Sequence, residues 1–107
     1  SSSASQAPEF GRISYTVTKR ALEALTEGMA AELAGRVAVN CIRLELPVWS
    51  EGFAATLGET SKAGFEHAVV MSDACLWLAK QPIEYTGRIL TIADMREMGV
   101  VRGPTPA

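Results

Sequence analysis

Residues 14–33 read SYTVTKRALEALTEGMAAEL and predict a long helix. Apolar side chains recur three or four positions apart in this stretch, and alanines fill many of the positions between them. Gly35 follows as a C-terminal stop, so we expect the helix to run from about residue 12 to residue 34. Its alanines leave part of the surface smooth, which would permit close packing against a sheet or against a second copy of the helix.

The rest of the chain alternates between strand and helix patterns. Residues 36–43, RVAVNCIR, are apolar on both faces apart from one asparagine, which predicts a strand that is covered on two sides. Residues 44–64 predict a long loop with room for one helical turn, residues 66–80 a second helix, and residues 88–93 a second strand. The tail that follows is expected to be irregular. This order predicts an α/β fold with a parallel sheet and helices on its faces.

Composition narrows the class of protein. The 107 residues carry a net charge of −2 with acids and bases interleaved, which argues against nucleic acid and against a polybasic membrane patch. No apolar run is long enough to span a membrane, and we expect a cytoplasmic protein. Cys41 and Cys75 lack metal-ligand spacing, so we expect no metal site and interpret both as small buried hydrophobes in a reducing compartment.

Two polar residues have structural interpretations. Asn40 lies within an apolar run, and we expect it to be a buried hydrogen-bonding group that holds the first strand to a neighbouring loop. His67 is the only histidine, which excludes catalytic or metal sites built on several histidines. We expect it to cap the second helix or to face solvent.

Tyr15 and Lys19 are the candidate chemical groups. They lie one helical turn apart, so their side chains project from the same face and the ammonium can approach the phenol oxygen. A positive charge there favours the phenolate, which is the property that a general acid/base needs. Many tyrosine and lysine pairs with this spacing are only solvated helix surface. The flanking sequence therefore has to distinguish a catalytic pair from a surface pair.

The flanking motifs resemble the C-terminal half of the short-chain dehydrogenase/reductase family. SSSAS precedes the helix, YTVTKRALEALTEGMAAEL forms it, VAVNCIR follows, and YTGRILTIAD comes after the second helix, all in the family's order across residues 1–94. The resemblance implies the C-terminal portion of a doubly wound Rossmann-type parallel sheet with flanking helices. It also implies that residues 1–107 form a single partial domain, without the N-terminal dinucleotide-binding half.

The resemblance assigns roles to individual residues. Tyr15 matches the family's catalytic tyrosine, which exchanges a proton with the substrate oxygen while the nicotinamide of NAD or NADP exchanges a hydride. Lys19 matches the lysine that activates this tyrosine and binds the nicotinamide ribose, so Tyr15 and Lys19 are also the predicted cofactor-binding residues. Ser2, thirteen residues before Tyr15, best matches the serine that polarises the substrate carbonyl, with Ser3 as the alternative in a shifted register.

The chain departs from the family pattern after the first strand. Leu44 and Glu45 stand where the family usually has a Pro-Gly turn, which places a carboxylate near the expected cofactor edge. Trp49 and Phe53 are candidate walls of an apolar substrate pocket, or they pack the loop onto the core. The 107 residues contain no glycine-rich phosphate-binding turn, so we expect poor dinucleotide binding by this chain alone. The choice between NAD and NADP stays open.

Three functions remain open at this stage. The first is an oxidoreductase that interconverts a secondary alcohol and a ketone as small-molecule substrate. The second is a truncated, catalytically inert remnant that acts only as a self-associating structural module. The third is a small helical scaffold in which Tyr15 and Lys19 are incidental. For the first two we expect a homo-oligomer, either a dimer or a tetramer, because exposed apolar surface and an unpaired strand edge favour association.

Overall fold

The computed structural model describes residues 1–7 and 10–107. Across these residues the chain is mixed α/β, with four α-helices and one two-stranded parallel sheet. In chain order the elements are α1 (Ile13–Glu32), β1 (Cys41–Arg43), α2 (Glu51–Leu57), α3 (Val69–Ala79), β2 (Ile89–Thr91) and α4 (Ile92–Glu97), with short 3₁₀ helices at Ser3–Ser5 and Glu59–Ser61. None of the helices in the described part of the chain is long and apolar enough to cross a membrane.

The sheet is extended by the N-terminal residues. β1 and β2 pair in parallel with Cys41 opposite Ile89. On the other side of β1, Ser2 forms a parallel bridge with Leu44, where the Ser3 amide donates to the Leu44 carbonyl at 2.7 Å. β1 therefore has a parallel partner on each side, the N-terminal segment on one and β2 on the other.

Alternating residues of the strands face different helices. Ile42 and Leu90, which are opposite each other in the register, pack against the hydrophobic core. That core is built from α3, α4 and the tail, and its buried members are Val70, Ala74, Ile92, Met95 and Val101. Arg43 points to the other face, where it meets Glu23 of α1. The sheet is thus covered on both faces, as the sequence predicted for its first strand.

α1 meets the sheet with small and polar residues. Its fully buried residues are Glu23, Thr26 and Ala30, and Tyr15 and Lys19 continue the same stripe toward the N-terminus as half-buried side chains. The apolar residues whose spacing predicted the helix lie outside this stripe, and Leu22, Leu25 and Met29 are exposed. The predicted helix is confirmed, but its aliphatic side chains do not form the core.

Gly87 permits the close approach of α1 to the start of β2. Its φ is +73°, a value that side-chain-bearing residues rarely adopt. A Cβ at this position would lie 3.5 Å from the Cβ of Ala30. A small residue on each side of the contact therefore brings the helix close to the sheet.

The first strand is shorter than predicted. Residues 36–43 were expected to be extended throughout, but only Cys41–Arg43 are in β1. Asn40 takes over the bonding before the strand: its side-chain amide donates to the Tyr85 carbonyl at 2.9 Å, and its Oδ1 accepts from the Arg88 amide at 3.0 Å. The predicted role of Asn40 as a hydrogen-bonding link to a neighbouring loop is confirmed, but its side chain is half-buried and not buried as expected.

The second strand is also shorter than predicted, because a helix begins where the strand was expected to continue. Thr91 caps α4 through a capping box, in which its hydroxyl accepts from the Asp94 amide at 3.0 Å and Asp94 accepts from the Thr91 amide at 2.9 Å. Two orphan amide donors are satisfied in this way, which favours a helix over further strand. The expectation of an irregular tail was therefore wrong for residues 95–97, and residues 92 and 93, which were predicted as strand, are helical as well.

The prediction that both cysteines are buried is correct for one of them. Cys41 is buried in β1, as expected, whereas Cys75 is exposed on α3. α3 turns Val70 and Ala74 toward the core, and Cys75 follows Ala74 by one position, which rotates its side chain away from the core. His67 precedes Ala68, the N-cap of α3; its side chain is exposed, and it accepts a hydrogen bond from the Val69 amide at 3.1 Å, so both alternatives of the prediction describe it in part.

Substitution of Met95 tests how much the hydrophobic core contributes to the stability of the fold. Its side chain is fully buried, whereas Met98, three residues further along, is 46% exposed. We expect Met95→Ala to lower the free energy of unfolding by about 2–5 kcal/mol, because the truncation leaves a cavity in the core. Met98→Ala, the matched control, should lower it by less than about 1 kcal/mol. Urea unfolding followed by circular dichroism measures both values, and equal losses would contradict the placement of Met95.

Candidate functional site

A cavity of about 370 Å³ lies beside the end of β1. Its polar lining consists of the three N-terminal serines, Arg12, Tyr15 and Lys19. Residues 44–48 and Phe53 supply a largely apolar lining, interrupted only by Glu45. Three segments that are distant in sequence, namely the N-terminus, the first turns of α1 and the chain after β1, therefore enclose one space.

Tyr15 and Lys19 lie on the same face of α1 and on the wall of the same cavity. The Lys19 Nζ is 5.2 Å from the centroid of the Tyr15 ring, and both side chains are half-buried. Arg12 approaches the same ring, with its Cζ 4.4 Å from the centroid. Two cations at this distance hold the aromatic ring by cation–π attraction. The structure thus brings together the tyrosine and the lysine singled out by their spacing.

The N-terminal serines reach the cavity because β1 and α1 hold them. The Leu44 amide donates to the Ser1 carbonyl at 3.1 Å, and the Ser1 hydroxyl donates to the Lys19 carbonyl at 3.3 Å. Ser2 is the N-cap of the first 3₁₀ helix, and its hydroxyl accepts from the Ala4 amide at 3.3 Å. Ser2 and Ser3 both line the cavity, so the structure brings both candidate serines to the side of Tyr15 and Lys19.

Of the two aromatic residues proposed for the pocket, only Phe53 lines the cavity. Trp49 instead packs against Phe53 and Phe65, with ring centroids 6.4 Å and 5.1 Å away. The packing alternative that the sequence left open therefore describes Trp49. Phe53 has both roles, because its ring also contacts Phe65 with a centroid distance of 5.1 Å.

Glu45 lines the cavity, but its carboxylate is bound to α4. Its two oxygens accept from the backbone amides of Ile92 at 3.1 Å and Ala93 at 2.7 Å. These amides belong to the first turn of α4, where a helix leaves donors without an intrahelical partner. The carboxylate that replaces the expected Pro-Gly turn therefore ties the end of β1 to α4.

Glu23 forms a polar cluster with Arg43 and Gln6 next to the N-terminal serines. The sequence alone did not predict this cluster. Glu23 is only 5% exposed, accepts from Arg43 Nε at 2.5 Å and accepts from the Gln6 side chain at 3.2 Å. Burial by itself raises the pKa of Glu23, but the hydrogen bonds from Arg43 and Ser5 and the charge of Arg43 outweigh it, so the pKa lies below its ordinary value. The position of Glu23, four residues after Lys19, was the sequence signal that placed it on the same stripe.

Within the residues that the structure describes, no group of three or more histidine, cysteine, aspartate or glutamate side chains is arranged to hold a metal ion. The polar groups that line the cavity are the serine hydroxyls, the Tyr15 phenol, the cations of Arg12 and Lys19 and the Glu45 carboxylate. No protein-family model matches this chain, and no curated protein matches it. The family resemblance thus depends on the quoted motifs alone.

Glu23 predicts a stability that depends on pH. Because the folded state lowers the pKa of Glu23, the ionised carboxylate stabilises the fold above the ordinary glutamate pKa, and this contribution is lost as the pH falls through the lowered value. At pH 7 we expect Glu23→Gln to lower the free energy of unfolding by about 1–3 kcal/mol. The variant should also lose less stability than the wild type on acidification below about pH 4.5.

Glu27→Gln is the matched control, since Glu27 lies one turn further along α1 and is exposed. Its free energy of unfolding should change by less than about 0.5 kcal/mol. Urea unfolding at pH 7 and at acidic pH measures these differences. An acid profile of Glu23→Gln that superimposes on the wild-type profile would contradict the proposed contribution of the ion pair.

Proposed function

We propose that this chain carries the catalytic site of a nicotinamide-dependent oxidoreductase of the short-chain dehydrogenase/reductase type. The reaction is the interconversion of a secondary alcohol and a ketone, with NAD or NADP as cofactor. The observation that supports this proposal is the convergence of Ser2, Tyr15 and Lys19 on one cavity beside the end of a parallel strand. Ligand sites in parallel α/β sheets lie outside the carboxyl ends of the strands, where this cavity lies.

The arrangement of the strands supports the Rossmann-type part of the proposal. β1 has parallel neighbours on both sides, namely the segment at Ser2 and β2. Helices cover both faces of β1, with α1 on one and α3 on the other. Parallel strands with helices on both faces are the defining feature of doubly wound sheets. The two parallel strands also argue against the small helical scaffold.

The side chains at the cavity fit the nicotinamide ribose. Lys19 offers three N–H donors and Tyr15 one O–H donor, and these groups can bond ribose hydroxyls. Glu45 is compatible with a cofactor nearby, because both its oxygens are bound by amides of α4. The cofactor, when bound, supplies a hydride to the carbonyl carbon or takes it back from the alcohol carbon.

The chain's own residues handle the proton. In the reducing direction the Tyr15 hydroxyl donates its proton to the carbonyl oxygen, and in the oxidising direction the Tyr15 phenolate accepts that proton from the alcohol. Lys19 supplies a positive charge beside Tyr15, since its Nζ lies 5.2 Å from the centroid of the Tyr15 ring. The Ser2 hydroxyl orients the carbonyl by a hydrogen bond. Residues 44–48 and Phe53 contact the apolar part of the substrate.

Tyr15→Phe tests the proton-transfer role. In the full-length gene product, we expect this variant to lose about 10²–10⁴-fold in kcat for ketone reduction, because the general acid is removed. Nicotinamide binding should be largely unchanged, since Lys19 remains. Loss of the cofactor's absorbance on reduction of a panel of ketones measures turnover, and calorimetry measures cofactor binding.

Tyr85→Phe is the matched control. Tyr85 is the only other tyrosine of the chain and packs against Trp77, with a ring-centroid distance of 5.3 Å, away from the cavity. This variant should retain kcat within about twofold of the wild type, because it removes no group that meets the substrate. Near-normal turnover by Tyr15→Phe would remove the acid/base assignment and, with it, the oxidoreductase proposal.

A second candidate function is that of a self-associating structural module, and the outer face of α1 favours it. Val17 and Leu25 are 59% and 56% exposed, and they lie two helical turns apart with alanines between them. An apolar helix face with small residues permits close packing of two helices. Self-association through α1 is also compatible with the oxidoreductase, so a homo-oligomer is part of both proposals.

The double variant Val17→Lys/Leu25→Lys tests this surface. Because two lysines on the contact face repel each other across a symmetric interface, we expect the dissociation constant of the oligomer to rise by at least about tenfold. Sedimentation velocity over a range of concentrations measures the change. Leu76→Lys on α3, where Leu76 is also 59% exposed, is the matched control and should leave association unchanged. An unchanged association of the double variant would contradict the role of α1.

A further inference from the structure

Three short segments lie side by side at the apolar wall of the cavity, which is formed by residues 44–48 and Phe53. Val48 forms a parallel bridge with Glu66, and Glu66 forms an antiparallel bridge with Pro106. The Trp49 amide donates to the Glu66 carbonyl, and the Glu66 amide donates to the Pro47 carbonyl, both at 2.9 Å. These bonds join the chain after β1 to the segment that precedes α3.

The C-terminal tail closes this arrangement from the other side. The His67 amide donates to the Thr105 carbonyl at 2.8 Å, and the Ala107 amide donates to the Phe65 carbonyl at 3.1 Å. Residues 65–67 therefore lie between two partners, residues 47–49 and residues 105–107. The central segment takes its position from both neighbours.

The side chain of Glu66 strengthens the same junction. Its carboxylate accepts two hydrogen bonds from the guanidinium of Arg96 in α4, one of them 3.0 Å long. The third nitrogen of the Arg96 guanidinium, Nε, donates to the Arg102 carbonyl of the tail at 2.8 Å. Glu66 also accepts a 3.4 Å bond from the Thr105 amide. A single carboxylate thus connects the segment before α3, the helix α4 and the tail.

The tail itself is anchored before it reaches this junction. Val101 is buried in the core, and Arg102 makes a two-pronged ion pair with Asp73 of α3, with N–O distances of 2.7 Å and 2.9 Å.

The hydrogen bonds from Arg96 lower the pKa of Glu66 below its ordinary value, so the carboxylate is ionised at neutral pH. Both partners of the Glu66–Arg96 ion pair are therefore charged at neutral pH.

Two routes lead from this junction to the cavity. Pro47 and Val48, which pair with residue 66, line the cavity directly. Phe65, whose carbonyl accepts from the tail, packs its ring against Phe53, which also lines the cavity. Movement of residues 65–67 would therefore displace the backbone of the apolar wall and one of its aromatic side chains.

We propose that Glu66 and the C-terminal residues 105–107 are positioning residues that hold the apolar wall of the cavity and thereby determine substrate affinity. The second half of this statement rests on the proposed oxidoreductase function, whereas the first half concerns the free protein alone. The tail makes no contact with the proposed catalytic groups in the described part of the chain; it acts through residues 65–67 and 47–49. Its removal should therefore weaken binding without removing a group that reacts.

Hydrogen exchange of the free protein tests the first half. Removal of residues 105–107 deletes the partners of His67 and Phe65, but it leaves the acceptors of the Trp49 and Glu66 amides in place. We expect these two amides to exchange about tenfold faster in the shortened chain, because the segment that they bond has lost its outer support. Arg96→Gln should have the same effect through the side chain of Glu66. Unchanged exchange at Trp49 and Glu66 in the shortened chain would overturn the proposal.

Steady-state kinetics of ketone reduction test the second half. We expect Arg96→Gln to raise KM about tenfold with kcat within about twofold of the wild type, because the wall and not the reacting groups is disturbed. Arg96→Lys keeps the positive charge but cannot make both hydrogen bonds of the guanidinium. Its KM should therefore lie between those of the wild type and Arg96→Gln. Arg88→Gln is the control, since Arg88 is exposed, stacks on Tyr85 and should change neither constant.

The outcomes separate the two proposals. A fall in kcat with unchanged KM would overturn the positioning role. If the wild-type protein reduces no ketone, the proposed function fails, and hydrogen exchange alone then decides whether the tail holds the wall. If Arg96→Gln does not fold, the shortened chain supplies both the exchange and the kinetic measurement.

Discussion

The contact between the polar stripe of α1 and the sheet is the constraint on which the site depends. Glu23 accepts hydrogen bonds from Arg43 of β1 and from Gln6 of the N-terminal segment, and it is almost fully buried. Removal of one partner from a buried ion pair leaves an uncompensated charge, so the pair permits few alternative registers between helix and strand. The close approach at Ala30 and Gly87 determines the other end of the same contact.

The register between α1 and β1 determines the positions of Tyr15 and Lys19. Lys19 and Tyr15 lie one and two turns before Glu23 on the same stripe, so they extend past the end of β1, where the serines are held by Leu44. The opposite part of the cavity depends on a separate set of contacts. Glu45 ties the end of β1 to α4, and Glu66 ties the chain before α3 to α4 and to the tail. Carboxylates that bind arginines or backbone amides thus hold both sides of the cavity.

The features that could be predicted from sequence are those with local causes. The spacing in residues 14–33 and the glycine at 35 predict α1 almost to its ends, and Asn40 and His67 make the kind of hydrogen bonds expected of them. The errors arise where a local pattern supports two structures. The run ILTIA has strong strand character, but the capping box of Thr91 and Asp94 converts its second half into α4. Trp49 was an equally good candidate for the pocket and for packing, and only its contacts with Phe53 and Phe65 decide between them.

The sequence by itself determined the alternation of helices and strands, the parallel pairing and the shared face of Tyr15 and Lys19, because helical and strand periodicities are properties of neighbouring residues. The tertiary structure alone decided which face of α1 is buried, because the aliphatic and the polar stripes of that helix were both possible contacts. It also decided that Glu45 and Glu66 bind α4 and that the tail pairs with residues 65–67. Those contacts join residues that lie 30 to 48 positions apart, and their geometry depends on how the whole chain packs.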